Sequence, residues 1–240
     1  MLGNDVVDLL DTDSRPESYR PRFDARVFAE SERRAIARDV RTLSRRWAHW
    51  GAKEAAYKLA RRIEPGFVFQ PKRLVVEFEP VSRTAGRRLE RCGRLELSPA
   101  AGWEAPETLI LEIRSFETPE RVHVIALPAG ADWGAVDADA VELDPIDADP
   151  SEAVRVLAKR AVARSLAVPE ARLAIGRRRR IPTIELDGVE TSLSLSLSHH
   201  GRWVAYAMTP WIDDQSLSWT SKNRACAPPT RSGATSWQTP

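Results

Sequence analysis

The spacing of hydrophobic positions changes several times along the chain, and each change marks an element. Residues 2–10, LGNDVVDLL, set Val6, Val7, Leu9 and Leu10 in one apolar run around Asp5 and Asp8. That pattern predicts a buried strand carrying carboxylates. A polar, proline-containing stretch follows over 11–22, and 28–40 is charged and helix-prone. Ser44 stands where an N-cap belongs, which predicts a helix over 45–63 stopped by Glu64-Pro65-Gly66. Strands are predicted at 73–78, 87–97, 108–116 and 121–127; LILEIRSF alternates apolar and polar, and Thr118-Pro119-Glu120 reads as the turn between the last two.

The second part of the chain is simpler. Residues 131–150 are acidic and end with two prolines, which predicts a linker or exposed loop. Ser151 can cap a second helix, SEAVRVLAKRAVARSLA, whose apolar side holds Val154, Leu157, Ala158, Ala161, Val162 and Leu166. A basic turn, a strand PTIEL, a turn at Asp187-Gly188, a strand around SLSLS and a strand RWVAYAM complete the pattern. Helix, strand and strand pair thus occur twice in the same order, over 45–127 and 151–208. The expected class is α+β, with two similar α/β subdomains arranged as a pseudo-dimer in one chain. The subdomains are 1–130 and 151–210, joined by the linker 131–150. Residues 211–240, rich in Ser, Thr, Pro and Gln, are expected to be a disordered tail.

Composition narrows the function. In 240 residues, 36 Lys and Arg balance 34 Asp and Glu to a net charge of +2, and 42% of residues are hydrophobic. This is a globular composition and not that of a nucleic-acid coat. No apolar run reaches membrane-spanning length, and MLGNDVVDLLDTDS lacks the form of a secretory signal. Two cysteines cannot build a disulfide framework or a zinc cage, so a cytoplasmic, reducing location is expected. Only five of the bases are lysines, and two of these, Lys53 and Lys58, fall in the first long helix.

Four groups could carry chemistry. Asp5 and Asp8 lie in an apolar run, where a carboxylate needs a partner or a metal. They point to opposite faces of the strand and so do not share one ion symmetrically. Glu54 and Lys58 are one helical turn apart, on the face that also holds Trp50, Tyr57 and Arg61. They could form an ordinary ion pair worth ~0.2–0.5 kcal/mol, or a hard-cation ligand beside a phosphate-binding ammonium. Ser194, Ser196 and Ser198 share one strand face, and His199-His200-Gly201 is expected to form a tight turn suited to an anion. The run Arg177 to Arg180 could clamp a phosphate, or could be a solvated turn.

The order of these pieces resembles the 4′-phosphopantetheinyl transferase superfamily. A near-N-terminal G-x-D strand (Gly3, Asn4, Asp5) precedes W-x-x-K-E-A-x-x-K (Trp50, Lys53, Glu54, Ala55, Lys58), and a later S-x-S-H (Ser196, Ser198, His199) closes the series. The order is similar to that of the holo-acyl-carrier-protein synthase type. The length is similar to that of the larger type, which is a pseudo-dimer. The larger type carries an acid two residues after the first Asp, where this chain has Val7; Asp8, one further on, fits the synthase type, and the number of carboxylate ligands stays open.

The resemblance implies Mg²⁺-dependent transfer of the 4′-phosphopantetheine arm of coenzyme A to a serine of an acyl or peptidyl carrier protein. It implies Asp5 and Glu54 as metal ligands, with Asp5, Glu54 and Lys58 as the catalytic set. Lys53, Arg180, Ser198 and His199 are the expected coenzyme A contacts. Glu54, Lys58 or a metal-bound water could deprotonate the incoming serine. The alternative is an inactive homologue that binds coenzyme A or protein. Neither nucleic acid nor membrane is an expected partner.

Overall fold

A computed structural model describes residues 1–20, 22–104, 108–144 and 149–210. The first strand, β1 (Gly3–Asp8), is buried at all six residues. Two short helices, α1 (Phe23–Val27) and α2 (Glu30–Arg38), lead to the long helix α3 (Thr42–Ile63). Four strands follow: β2 (Val76–Ala85), β3 (Arg88–Leu97), β4 (Leu109–Glu117) and β5 (Arg121–Pro128). All pairs are antiparallel, in the order β1-β5-β4-β3-β2.

Helix α3 lies across this sheet because its inner side is built of small residues. Ala48, Ala52, Ala55, Ala56, Leu59 and Ala60 are fully buried against Val7, Leu111, Ile113, Val124 and Ala126. Gly3 makes the closest approach possible. A Cβ there would lie 1.9 Å from the Ala55 carbonyl oxygen and 3.0 Å from the Leu59 nitrogen. Gly3→Ala should therefore push α3 off β1 and cost about 1–3 kcal/mol, as overpacking generally does; the urea midpoint should fall accordingly. The glycine of G-x-D is a packing residue, and it brings the Asp5 side of β1 onto the helix.

Helix α3 starts earlier than the sequence predicts. Arg41 is its N-cap residue, and Ser44 sits inside the first turn with its hydroxyl donating to Glu117 Oε2 at 2.7 Å. Glu117 also accepts from Arg91 Nε at 2.7 Å, so a buried charge took the hydroxyl that local capping would have used.

The second part contains β6 (Asp137–Glu142), α4 (Pro150–Leu166), β7 (Leu173–Arg178), β8 (Ile181–Leu186), β9 (Val189–Glu190), β10 (Leu193–His200) and β11 (Trp203–Pro210). Its sheets run β10-β11-β6 and β7-β8-β9. The acidic stretch 131–150 is thus not merely a linker, because β6 pairs with β11 along its length. Asp149, not Ser151, caps α4, its side chain accepting from the Ser151 nitrogen at 2.9 Å. The expected basic turn is largely strand: Arg177 and Arg178 end β7, and only Arg179 and Arg180 turn, both with positive φ. The expected tail, 211–240, lies outside the described residues.

The two parts repeat a strand order. In each, the strand before the long helix pairs with the last strand, which pairs with the one before it: β1-β5-β4 and β6-β11-β10. Asp8 faces Arg121 and Glu142 faces Trp203, the first residue of the last strand in each case. The parts meet where Leu2, Ile125, Leu127 and Ala207 pack together and where Val6 meets Ala140, Trp203 and Ala205. Among the described residues no helix is long and apolar enough to cross a membrane.

Candidate functional site

Strand β1 is the edge of its sheet, and its outward backbone groups need partners. Three side chains of β10 supply them. Ser196 Oγ accepts from the Asn4 nitrogen at 3.0 Å, Ser198 Oγ from Val6 at 3.2 Å and His200 Nδ1 from Asp8 at 3.2 Å. The two-residue period of a strand puts residues 196, 198 and 200 on one face, which is why successive outward N–H groups of β1 meet successive acceptors. The serine face was legible in the sequence; its use as a row of acceptors for an edge strand was not.

Asp5, Glu54 and Lys58 come together beside this seam. Lys58 Nζ donates to Asp5 Oδ1 at 2.9 Å and to the Asn4 carbonyl at 2.9 Å. Ser198 Oγ, itself acceptor for Val6, donates to the same Asp5 oxygen at 2.7 Å. Glu54 does not form the simple helical pair with Lys58. Among the described residues its carboxylate has no hydrogen-bond or ion-pair partner. Burial first, then the charge of Asp5, raises its pKa to about 7 against the opposing effect of Lys58. Two carboxylates therefore share a partly buried corner with one ammonium, which is bonded to Asp5.

Asp8 is committed elsewhere. It is 1% exposed, and Arg202 binds its Oδ2 through both the backbone nitrogen and Nε at 3.0 Å. Burial alone would raise its pKa, but hydrogen bonds from Arg202 and from the Leu10 nitrogen outweigh that and lower it. Arg202 also reaches Glu142 at 2.7 Å, so this pair ties the end of β1 to the β10–β11 hairpin. The hairpin turn is Gly201-Arg202; His199 and His200 remain on the strand, paired with Val204 and Trp203. Gly201 has φ +53°, and a Cβ on it would lie 2.7 Å from Asp8 Oδ2.

Lys53 also departs from expectation. It is 0% exposed, its ammonium bonded to Glu32 at 2.7 Å and to the carbonyls of Pro71 and Leu74. All three N–H donors are used inside the protein, which leaves none pointing to solvent. The reason is helical phase. Residues 53 and 54 are about 100° apart on the helix, and Lys53 shares the stripe of His49, Ala56 and Ala60, all buried. Arg180 sits at the exposed tip of the β7–β8 hairpin, on a different sheet from Asp5. His199 is exposed; partial burial, then the charge of Lys58, holds its pKa below the usual value.

The rings that the sequence places on the Glu54 face, Trp50 and Tyr57, gather around a third that it did not indicate, Phe69. Both are half-buried and meet Phe69 at ring separations of 5.8 and 4.9 Å.

The donor set suits a hard divalent cation. Mg²⁺ characteristically takes one or two carboxylates and completes its shell with water and phosphate oxygens. Asp5 Oδ2 and the unpartnered Glu54 carboxylate are the oxygens left over by the hydrogen-bond network. Among the described residues no three of His, Cys, Asp and Glu converge as an all-protein metal cage would require.

Fold and site together define an α+β protein with a carboxylate–lysine corner between a strand and a helix. Residues 1–100, which contain Asp5, Glu54 and Lys58, match the family model described as the 4′-phosphopantetheinyl transferase superfamily. This part of the chain is therefore similar to transferases that act on carrier proteins with coenzyme A. No curated protein matches the chain.

Proposed function

We propose that the protein transfers the 4′-phosphopantetheine arm of coenzyme A to a serine hydroxyl of an acyl or peptidyl carrier protein. The serine oxygen forms a bond to the β-phosphorus, the bond to adenosine 3′,5′-bisphosphate breaks, and the serine proton leaves. The observation carrying this reading is the meeting of Asp5, Glu54 and Lys58, with Glu54 unpartnered, inside the stretch similar to the superfamily.

Asp5 and Glu54 are the residues that would hold Mg²⁺. When bound there, the ion neutralises charge on the pyrophosphate and polarises the attacked phosphorus. Lys58 places its ammonium beside Asp5, where it can offset charge growing on phosphate oxygens; fixed donors are worth most at such positions. Glu54, with its pKa near 7, can also take a proton near neutral pH. His199, exposed near Lys58, is the member of the S-x-S-H series free to meet a phosphate. The repeated strand order supports two equivalent halves in a pseudo-dimeric chain, with the site at their seam.

The test is intact-mass measurement of apo carrier proteins incubated with coenzyme A, Mg²⁺ and the protein. Gain of one pantetheinyl arm is the expected result. Coenzyme A binding with no transfer to any of a broad carrier panel would overturn the enzymatic reading in favour of an inactive homologue.

A further inference from the structure

Of the three β10 acceptors on β1, one differs from the others. Ser196 and His200 each serve a single backbone N–H, of Asn4 and Asp8. Ser198 accepts from Val6 and also donates its hydroxyl proton to Asp5 Oδ1 at 2.7 Å. A hydroxyl can do both at once, whereas a carboxylate or carbonyl cannot. Ser198 is 6% exposed and Asp5 8%, so neither hydrogen bond is readily exchanged for water.

We infer that Ser198 is a positioning residue for the cation site: its hydroxyl, with Lys58, fixes Asp5 Oδ1 and leaves Oδ2 as the oxygen that would hold a cation. This rests on the proposed function and extends it, because the S-x-S-H series would then act on the carboxylate through β1. Partners that orient a metal-binding carboxylate change metal affinity by about 10–100-fold when removed. The contribution comes from the second part of the chain, 193 residues away from Asp5. Cation affinity should therefore depend on the docking of β10 against β1.

Ser196 supplies the control. It is 3% exposed and accepts one β1 N–H, yet no hydrogen bond joins it to Asp5 among the described residues. Ser196→Ala and Ser198→Ala should both lower stability, because each leaves a buried N–H without its acceptor. Only Ser198→Ala should weaken binding of Mn²⁺, followed by electron paramagnetic resonance of the full chain without coenzyme A, by about tenfold or more. Ser198→Thr, which keeps the hydroxyl, should restore most of it.

Equal affinities for Ser198→Ala and the unmodified chain, or equal losses in both alanine variants, would overturn the inference. If Mn²⁺ binding still fell in Asp5→Asn and Glu54→Gln, the metal site itself would survive that result. If the unmodified chain bound no Mn²⁺ with or without coenzyme A, both the inference and the metal-dependent reading would fall.

Discussion

Glu54→Gln should reduce carrier modification by about three orders of magnitude while leaving the protein at least as stable as before. The loss follows from the several kcal/mol that a Lewis-acid cation contributes to phosphoryl transfer. The retained stability follows from the site. Glu54 forms no ion pair with Lys58, and its carboxyl is raised to about 7 by burial and by Asp5. Between pH 4.5 and 7 the folded protein holds a proton at Glu54 that the unfolded chain does not, so this residue lowers stability as pH rises through that window. Glutamine removes that contribution. In the absence of divalent cations, unfolding at pH 8 should show the variant equal to or above the unmodified protein, and the difference should shrink toward pH 5. A large loss of stability at pH 8 would instead mean that Glu54 is a structural ion.

Lys53→Met should have the opposite profile. Lys53 and Glu32 have side chains 0% exposed and are paired at 2.7 Å. Removing one member of a buried pair leaves an uncompensated charge, at a cost of about 3–5 kcal/mol. The carbonyls of Pro71 and Leu74 lose their donor as well. Glu32 keeps backbone donors from Ala29 at 2.7 Å and Val76 at 2.9 Å, so it stays fixed, while burial, which already raises its pKa against the effect of Lys53, is then less opposed. The double variant Lys53→Met/Glu32→Gln should recover part of the loss in chemical denaturation. At a temperature where Lys53→Met remains folded, its KM for coenzyme A should be unchanged, whereas a cofactor-binding lysine would raise it.

The contrast between Lys53 and Glu54 shows what the sequence could and could not convey. Their motif marked both as site residues, but neighbours on a helix face different ways. The stripe 49, 53, 56, 60 was available to indicate that Lys53 points inward. Strand β1, helix α3 and the β4–β5 pair were legible because each carries its own period. Strand β6 was not, because its inward side is made of Ala138 and Ala140 among acids, and small residues give little contrast against charge. The convergence of Asp5 with Glu54 and Lys58 followed from the motif order. The acceptors Ser196, Ser198 and His200 left no local trace of their partner, since a strand edge 192 residues away cannot be read from spacing.

That separation has a consequence for the order in which the molecule forms. At a synthesis rate of roughly 5–20 residues per second, β1 waits about 10–40 s after its own emergence before β10 is made. During that interval its outward N–H groups are an open edge, the kind of surface that pairs with other chains. The carboxylate corner is thus among the last features completed, and nascent or truncated chains ending before β10 should aggregate through β1, the strand that carries Asp5.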